Sequence, residues 1–122
     1  MGAITYRDAN ITDRYDTIMI GSGIGSLVTA ACLSRSGQRV LVLEQHYAPG
    51  GYTHTFRRRN YEWDVGVHYI GEVLREESFL AKLFRYVGDG SLTWADMGDV
   101  YDRIRFGNEI YDFRKGRLAW VE

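Results

Sequence analysis

Apolar positions change period several times along the chain, and each change marks an element. Residues 15–20, YDTIMI, make a short β-rich run without proline that stops at Gly21, as a buried parallel strand does. Over 25–36 the period becomes helical: Ile24, Leu27, Val28 and Ala31 recur at three- and four-residue spacing, and Gly37 suits the position just past a helix. QRVLVLEQ gives a second β-branched run over 40–43. Strand, helix and strand in about thirty residues predict a βαβ unit with a right-handed crossover. Further on, YTHTFRRRNYEWDVGVHYIG places two strand-like pieces around a polar RRRN, which reads as a hairpin or extended ribbon. Residues 76–87 read as an amphipathic helix, with Phe79, Leu80, Leu83, Phe84 and Val87 on its apolar face and Gly88 as its stop. YDRIRFGNEIYDFRKG alternates on either side of Gly107-Asn108 and predicts a second hairpin.

Composition narrows the classes. The chain has 122 residues, a normal length for one domain, and is 45% hydrophobic and 25% charged, as a globular protein is. A formal net charge of −1 provides no global field for nucleic acid or an anionic membrane. Cys32 is the sole cysteine, which excludes an internal disulfide and fits a reducing, cytoplasmic compartment. No apolar run approaches the ~18 residues that span a bilayer. The polar start, MGAITYRDANITDRYD, lacks the apolar centre of a secretory leader and reads as a tail over 1–13.

IMIGSGIGSLVTA carries the chemistry. A phosphate-cradling loop between strand and helix needs a glycine for the tight turn, a second to admit a pyrophosphate, and a third small residue for helix–strand packing. Gly21 and Gly23 fill the first two roles, Gly25 adds backbone freedom, and Ser26 stands at the packing position. The helix start adds N–H donors and positive potential. Glu44 closes the second strand 23 residues after Gly21, near the ~20 expected of an acid that holds a ribose hydroxyl pair. The plain alternatives are a ligand-free glycine turn and a solvated strand-end acid. The strand–loop–helix context taken with Glu44 favours a dinucleotide, and the acid would repel a 2′-phosphate, which argues against NADP. With no Gly-Lys-Ser/Thr the loop is not that of a nucleoside triphosphatase. The predicted fold class is α/β: a Rossmann-like βαβ FAD/NAD(P)-binding unit followed by antiparallel β ribbons and one amphipathic helix.

Beyond Glu44, VLVLEQHYAPGGYTHTF with its Gly50-Gly51 doublet resembles the extended N-terminal motif of two-dinucleotide-binding-domain flavoproteins. THTF and YEWDVGVHYIGE are similar to the retinol saturase, carotenoid isomerase and phytoene desaturase branch of FAD-dependent oxidoreductases, and YDRIRFGNEIYDFRKG resembles the ribbon that begins the substrate domain there. The resemblance runs over residues 15–120. It implies FAD, held by Gly21, Gly23, Ile24, Gly25, Ser26, Glu44, Gln45, Gly50 and Gly51, with Gly66 and Val67 near the isoalloxazine ring. It implies saturation, desaturation or isomerisation of a lipophilic polyene, and it assigns no catalytic residue to this stretch. Two positions depart from the pattern: Ser26 replaces a glycine, and Tyr52 stands where cysteine or arginine is commoner. Relatives in this branch have several hundred residues, including a distant segment that completes the FAD site. The chain therefore reads as a fragment or remnant, with a tail at 1–13, the FAD-binding part at 14–71 and the start of a substrate domain at 72–122. Its partners would be the polyene and the remainder of the enzyme, with peripheral membrane contact and no nucleic acid. The alternatives are a non-catalytic dinucleotide-binding module, or another flavoprotein such as an amine oxidase, against which DVGVHYIG counts.

Other residues have plainer readings. His46, His54 and His68 are spaced by eight and fourteen, which matches no zinc pattern, and no metal is expected. His54 and His68 flank the flavin or simply pack, and Asp64 could cap a turn. Arg57, Arg58 and Arg59 read as a solvated hairpin tip, with a membrane-surface contact as the alternative. Cys32, Phe79, Leu83 and Phe84 read as core. Tyr101, Phe106, Tyr111 and Phe113 suit a sheet face.

Overall fold

Strand β1 (Thr17–Ile20) and strand β2 (Val40–Leu43) pair in parallel, from Thr17 against Val40 to Ile20 against Leu43, with helix α1 (Ile24–Arg35) as the crossover. These elements come from a computed structural model that describes residues 4–9, 11 and 13–116; residues 1–3, 10 and 12 of the expected tail and 117–122 of the expected substrate domain lie outside the described residues. The pairing is extended at one end by Asp16, whose N–H donates to Arg39 O while its carboxylate accepts the Arg39 N–H at 2.8 Å. At the other end the Gly21 N–H donates to Leu43 O at 2.7 Å. Helix α1 starts at Ile24 and ends at Arg35, each one residue earlier than the periodicity predicts, and Gly37 leaves it at φ +92°.

The antiparallel part departs from expectation in detail. Strand β3 (Thr55–Arg58) runs into the arginine triplet instead of stopping before it, and pairs with β4 (Tyr61–Asp64). Arg57 faces Glu62 across the ladder, its Nε 2.8 Å from the carboxylate, and Arg58 lies over the Phe56 ring at 5.7 Å. Only Arg59, at φ +55°, and Asn60 are left to turn the chain. Such cross-strand partners hold residues in a sheet that composition alone assigns to a loop.

Helix α2 (Phe79–Val87) is three residues shorter than predicted. Its start is fixed by Ser78, whose buried hydroxyl accepts the Ala81 N–H at 3.0 Å and donates to Glu72 O at 2.7 Å. A serine cap outweighs the helix propensity of Glu76 and Glu77. One expectation is corrected here: Phe79, the first residue of α2, is 75% exposed and is not core. The inward face is Leu80, Ala81, Leu83, Phe84 and Val87, of which Ala81 is buried. Arg35 ties the helices together, bonding Asp89 at 3.2 Å and lying over Tyr86 at 4.6 Å.

Strands β5 (Val100–Phe106) and β6 (Glu109–Arg114) form the second hairpin about Gly107-Asn108, with Gly107 at φ +60° and a register shift between Val100 and Asp102. Tyr69 connects this ribbon to the preceding segment, its hydroxyl donating to Asp102 at 3.2 Å and its ring 5.4 Å from that of Tyr101.

Among the described residues the strands form three separate pairs. The accessible surface is 10675 Å², against about 6,700 Å² for a closed globule of this mass. Ala30 and Ala81 are the buried apolar residues of the described part, while Ile18 and Ile20 of β1 lie exposed. The described residues build a βαβ frame without enclosing a core of their own.

Candidate dinucleotide site

The loop from Gly21 to Ser26 leaves β1 and enters α1, and its glycines do different things. Gly21 adopts φ +91°, a region that only glycine enters without cost. A Cβ at Gly21, Gly23 or Gly25 would meet no atom within 4 Å, so the loop faces open space on the side where a side chain would otherwise stand. Gly23 caps α1 with no side-chain hydrogen bond, and the first turn contains no acid. The helix therefore presents N–H groups that no side chain caps, as an anion site requires. Ile24, the first helical residue, is half exposed.

Glu44 follows β2 and turns back onto this loop. Its Oε2 accepts the Ser22 N–H at 2.7 Å and the Ser22 hydroxyl, and its Oε1 accepts the His46 N–H at 2.8 Å. These donors, led by the Ser22 hydroxyl, pull the carboxyl down from 4.5 to about 2. The acid is ionised and oriented before any ligand arrives. Gln45 is exposed beside it.

The Gly50-Gly51 doublet closes against the same loop. Gly50 and Gly23 form a parallel bridge, and the Gly50 N–H reaches Ser22 O at 3.1 Å and Ser22 Oγ at 3.0 Å. A Cβ on Gly51 would sit 3.1 Å from Gly23 Cα, so it is glycine at 51 that allows this close approach. A short 3₁₀ turn, Gly51–Thr53, then leads to the first hairpin. Gly66 and Val67 reach the doublet through Tyr52: the Val67 N–H donates to Tyr52 O at 3.1 Å, and a Cβ on Gly66 would lie 2.9 Å from Tyr52 Cβ. The Tyr52 ring thus occupies space that glycine at 66 leaves free.

Beside Glu44 an open cleft of about 320 Å³ is lined by Glu44, His46, Gly51, Tyr52, His54 and Val65. The His46 and His54 rings are 4.9 Å apart, and Tyr47 packs on both. His68 stands apart and faces Asp64 at 3.5 Å. The glycines' open side, the uncapped helix and the oriented carboxylate fit the ribose and pyrophosphate of a dinucleotide.

The structure brings Gly21, Gly23, Glu44, Gly50 and Gly51 into one constellation, with Gly66 and Val67 at its margin. The residue that sequence reasoning misses is Ser22, the site's most buried member at 1% exposure. The signal lay in a hydroxyl residue between two glycines, at a strand end that must meet the acid of the next strand.

Ser26 behaves differently. Its Oγ is buried and finds no hydrogen-bond partner, and an orphaned hydroxyl costs about 1–3 kcal/mol. Ser26→Ala is therefore expected to raise the unfolding free energy by about 1 kcal/mol, read as a higher thermal midpoint of the full-length protein. Ser26→Leu is expected to wedge helix from strand and lower it.

Rat all-trans-retinol 13,14-reductase is 43% identical over 118 residues, covering 93% of this chain and 19% of that protein. A zebrafish protein named inactive all-trans-retinol 13,14-reductase is 40% identical over 102 residues, covering 84% and 17%. The chloroplastic prolycopene isomerase of Daucus carota is 50% identical over 52 residues, covering 43% and 8%. The chain thus spans about a fifth of the length of the retinol reductases it matches. A solved protein of Pyrococcus furiosus shares the fold at a TM-score of 0.55 and 23% identity, over 78% of this chain and 24% of that one. The profile described as NAD(P)-binding Rossmann-like domain matches residues 19–87, the stretch that contains the glycine loop, Glu44 and the doublet, and the chain belongs to that family.

Proposed function

We propose that this chain is the FAD-binding segment of an oxidoreductase that saturates, desaturates or isomerises a lipophilic polyene of retinoid or carotenoid type. The observation that carries the reading is the 43% identity to a retinol reductase across the segment that holds the glycine loop, Glu44 and the doublet. Gly21, Gly23, Ile24, Gly25 and Ser26 would receive the pyrophosphate at the start of α1, Glu44 with Gln45 beside it would hold the adenosine ribose, and Gly50-Gly51 would close over the diphosphate. Gly66 and Val67 would lie toward the flavin. FAD, when bound, supplies the ring that accepts or delivers hydride. The chain's own residues bind and orient it. On this reading 14–71 is the cofactor part and 72–122 opens the substrate part. Membrane contact would be peripheral: no helix of the described residues is long and apolar enough to cross a bilayer.

A second reading is a dinucleotide-binding module without turnover, favoured by the 40% identity to a relative named inactive. One measurement separates the two. The full-length protein is purified, its flavin content read by absorbance, and its consumption of all-trans-retinol or a carotenoid followed by chromatography with a reductant or oxidant supplied. Stoichiometric flavin with polyene conversion is expected. Flavin without conversion would favour the second reading, and absence of flavin would overturn the first.

A further inference from the structure

We infer that Ser22 is a positioning residue, its hydroxyl joining the ribose-holding acid to the diphosphate-facing glycine turn; this rests on the proposed reading of the site. The side chain is fully buried, so its bonds are not shared with solvent. A hydroxyl has one proton to donate and lone pairs to accept, and Ser22 spends both. It donates to Glu44 Oε2 and accepts the Gly50 N–H at 3.0 Å. Its main chain repeats the pattern: the N–H donates to the same Oε2 at 2.7 Å, and the carbonyl accepts from Gly50 at 3.1 Å. One residue thereby sets the distance between two groups that lie 22 and 28 positions further along the chain. With two donors from Ser22 on Oε2, the second oxygen, which takes the His46 N–H, is the one left with capacity for a ribose hydroxyl.

A hydroxyl that only filled space would affect every ligand alike. A hydroxyl that aims Glu44 affects ligands according to whether they carry the ribose diol. The test titrates the full-length protein, freed of flavin, with ADP and with 2′,3′-dideoxy-ADP by calorimetry. Wild type should prefer ADP by about tenfold or more, the value of a hydrogen bond to a charged group. Ser22→Ala should shrink that preference to within about threefold, whatever happens to the two affinities separately. Ser22→Cys, near in size but a weak donor, should fall between. An unchanged ratio in a folded Ser22→Ala protein overturns the inference. Should Ser22→Ala not melt cooperatively, the ratio for Ser22→Cys decides in the same way. If wild type itself binds no ADP, or binds both ligands equally, the reading of the site fails and the role of Ser22 with it.

Discussion

Gly50→Val should strip the flavin from the full-length protein. Gly50 adopts φ +120°, far outside the basins open to a β-branched residue, and it is buried. A Cβ there would lie 3.2 Å from Thr53 Oγ1 and 3.3 Å from His54 N, and the second of these is backbone that cannot rotate aside. Relief requires the turn to move, which breaks the Gly50–Ser22 bonds and the bridge to Gly23. Strain and lost bonds together come to about 3 kcal/mol or more, on the order of a hundredfold in affinity. Flavin-to-protein absorbance after gel filtration reads the loss. Gly71→Ala is the control, since a Cβ at Gly71 meets no atom within 4 Å. Retention of flavin by Gly50→Val would mean that the doublet does not close over the diphosphate as proposed.

Glu44→Arg should have a comparable effect by a different route. The substitution removes the acceptor of the Ser22 N–H, the Ser22 hydroxyl and the His46 N–H together, and places a cation against those donors. It also removes the proposed ribose acceptor, so flavin affinity should fall on the order of a hundredfold. Because the Glu44 carboxyl is depressed from 4.5 to about 2, its contribution is complete above pH 4.5 and is lost as pH falls through about 2. Flavin release from wild type between pH 7 and 5 should therefore owe nothing to this group, and flavin release by Glu44→Arg should already be complete at neutral pH. Equal flavin content in variant and wild type at pH 7 would remove Glu44 from the site.

Most of the βαβ unit was legible in the sequence because its signals are local. Gly21 directly follows β1, the change of period falls one residue from the start of α1, and Gly37 lies two residues past its end. The hairpin at Gly107-Asn108 is legible for the same reason. What was not legible depends on contacts between distant residues. The start of α2 turns on the bond from Ser78 to Glu72 as well as on its cap, and the arginine triplet lies partly in a strand because Glu62 comes to face Arg57. Phe79 has the right spacing for the apolar face but, as the first residue of α2, is left 75% exposed. Ser22 is invisible until β1 and β2 pair, since only that register sets a loop serine beside the acid of the next strand.

The division of the described strands into three separate two-stranded sheets bears on cooperativity. Each ladder can open without disturbing the others, so local excursions of the kind that admit solvent to backbone amides need not be shared between them. The glycine-loop bridge is the exception, because it fastens the parallel pair to the turn that leads into the first hairpin. A ligand lying across that bridge would couple two otherwise independent opening equilibria into one, stabilising them jointly in proportion to its occupancy. The second hairpin, held to the segment before it by the Tyr69–Asp102 bond, would remain outside that coupling and keep its own rhythm of exchange.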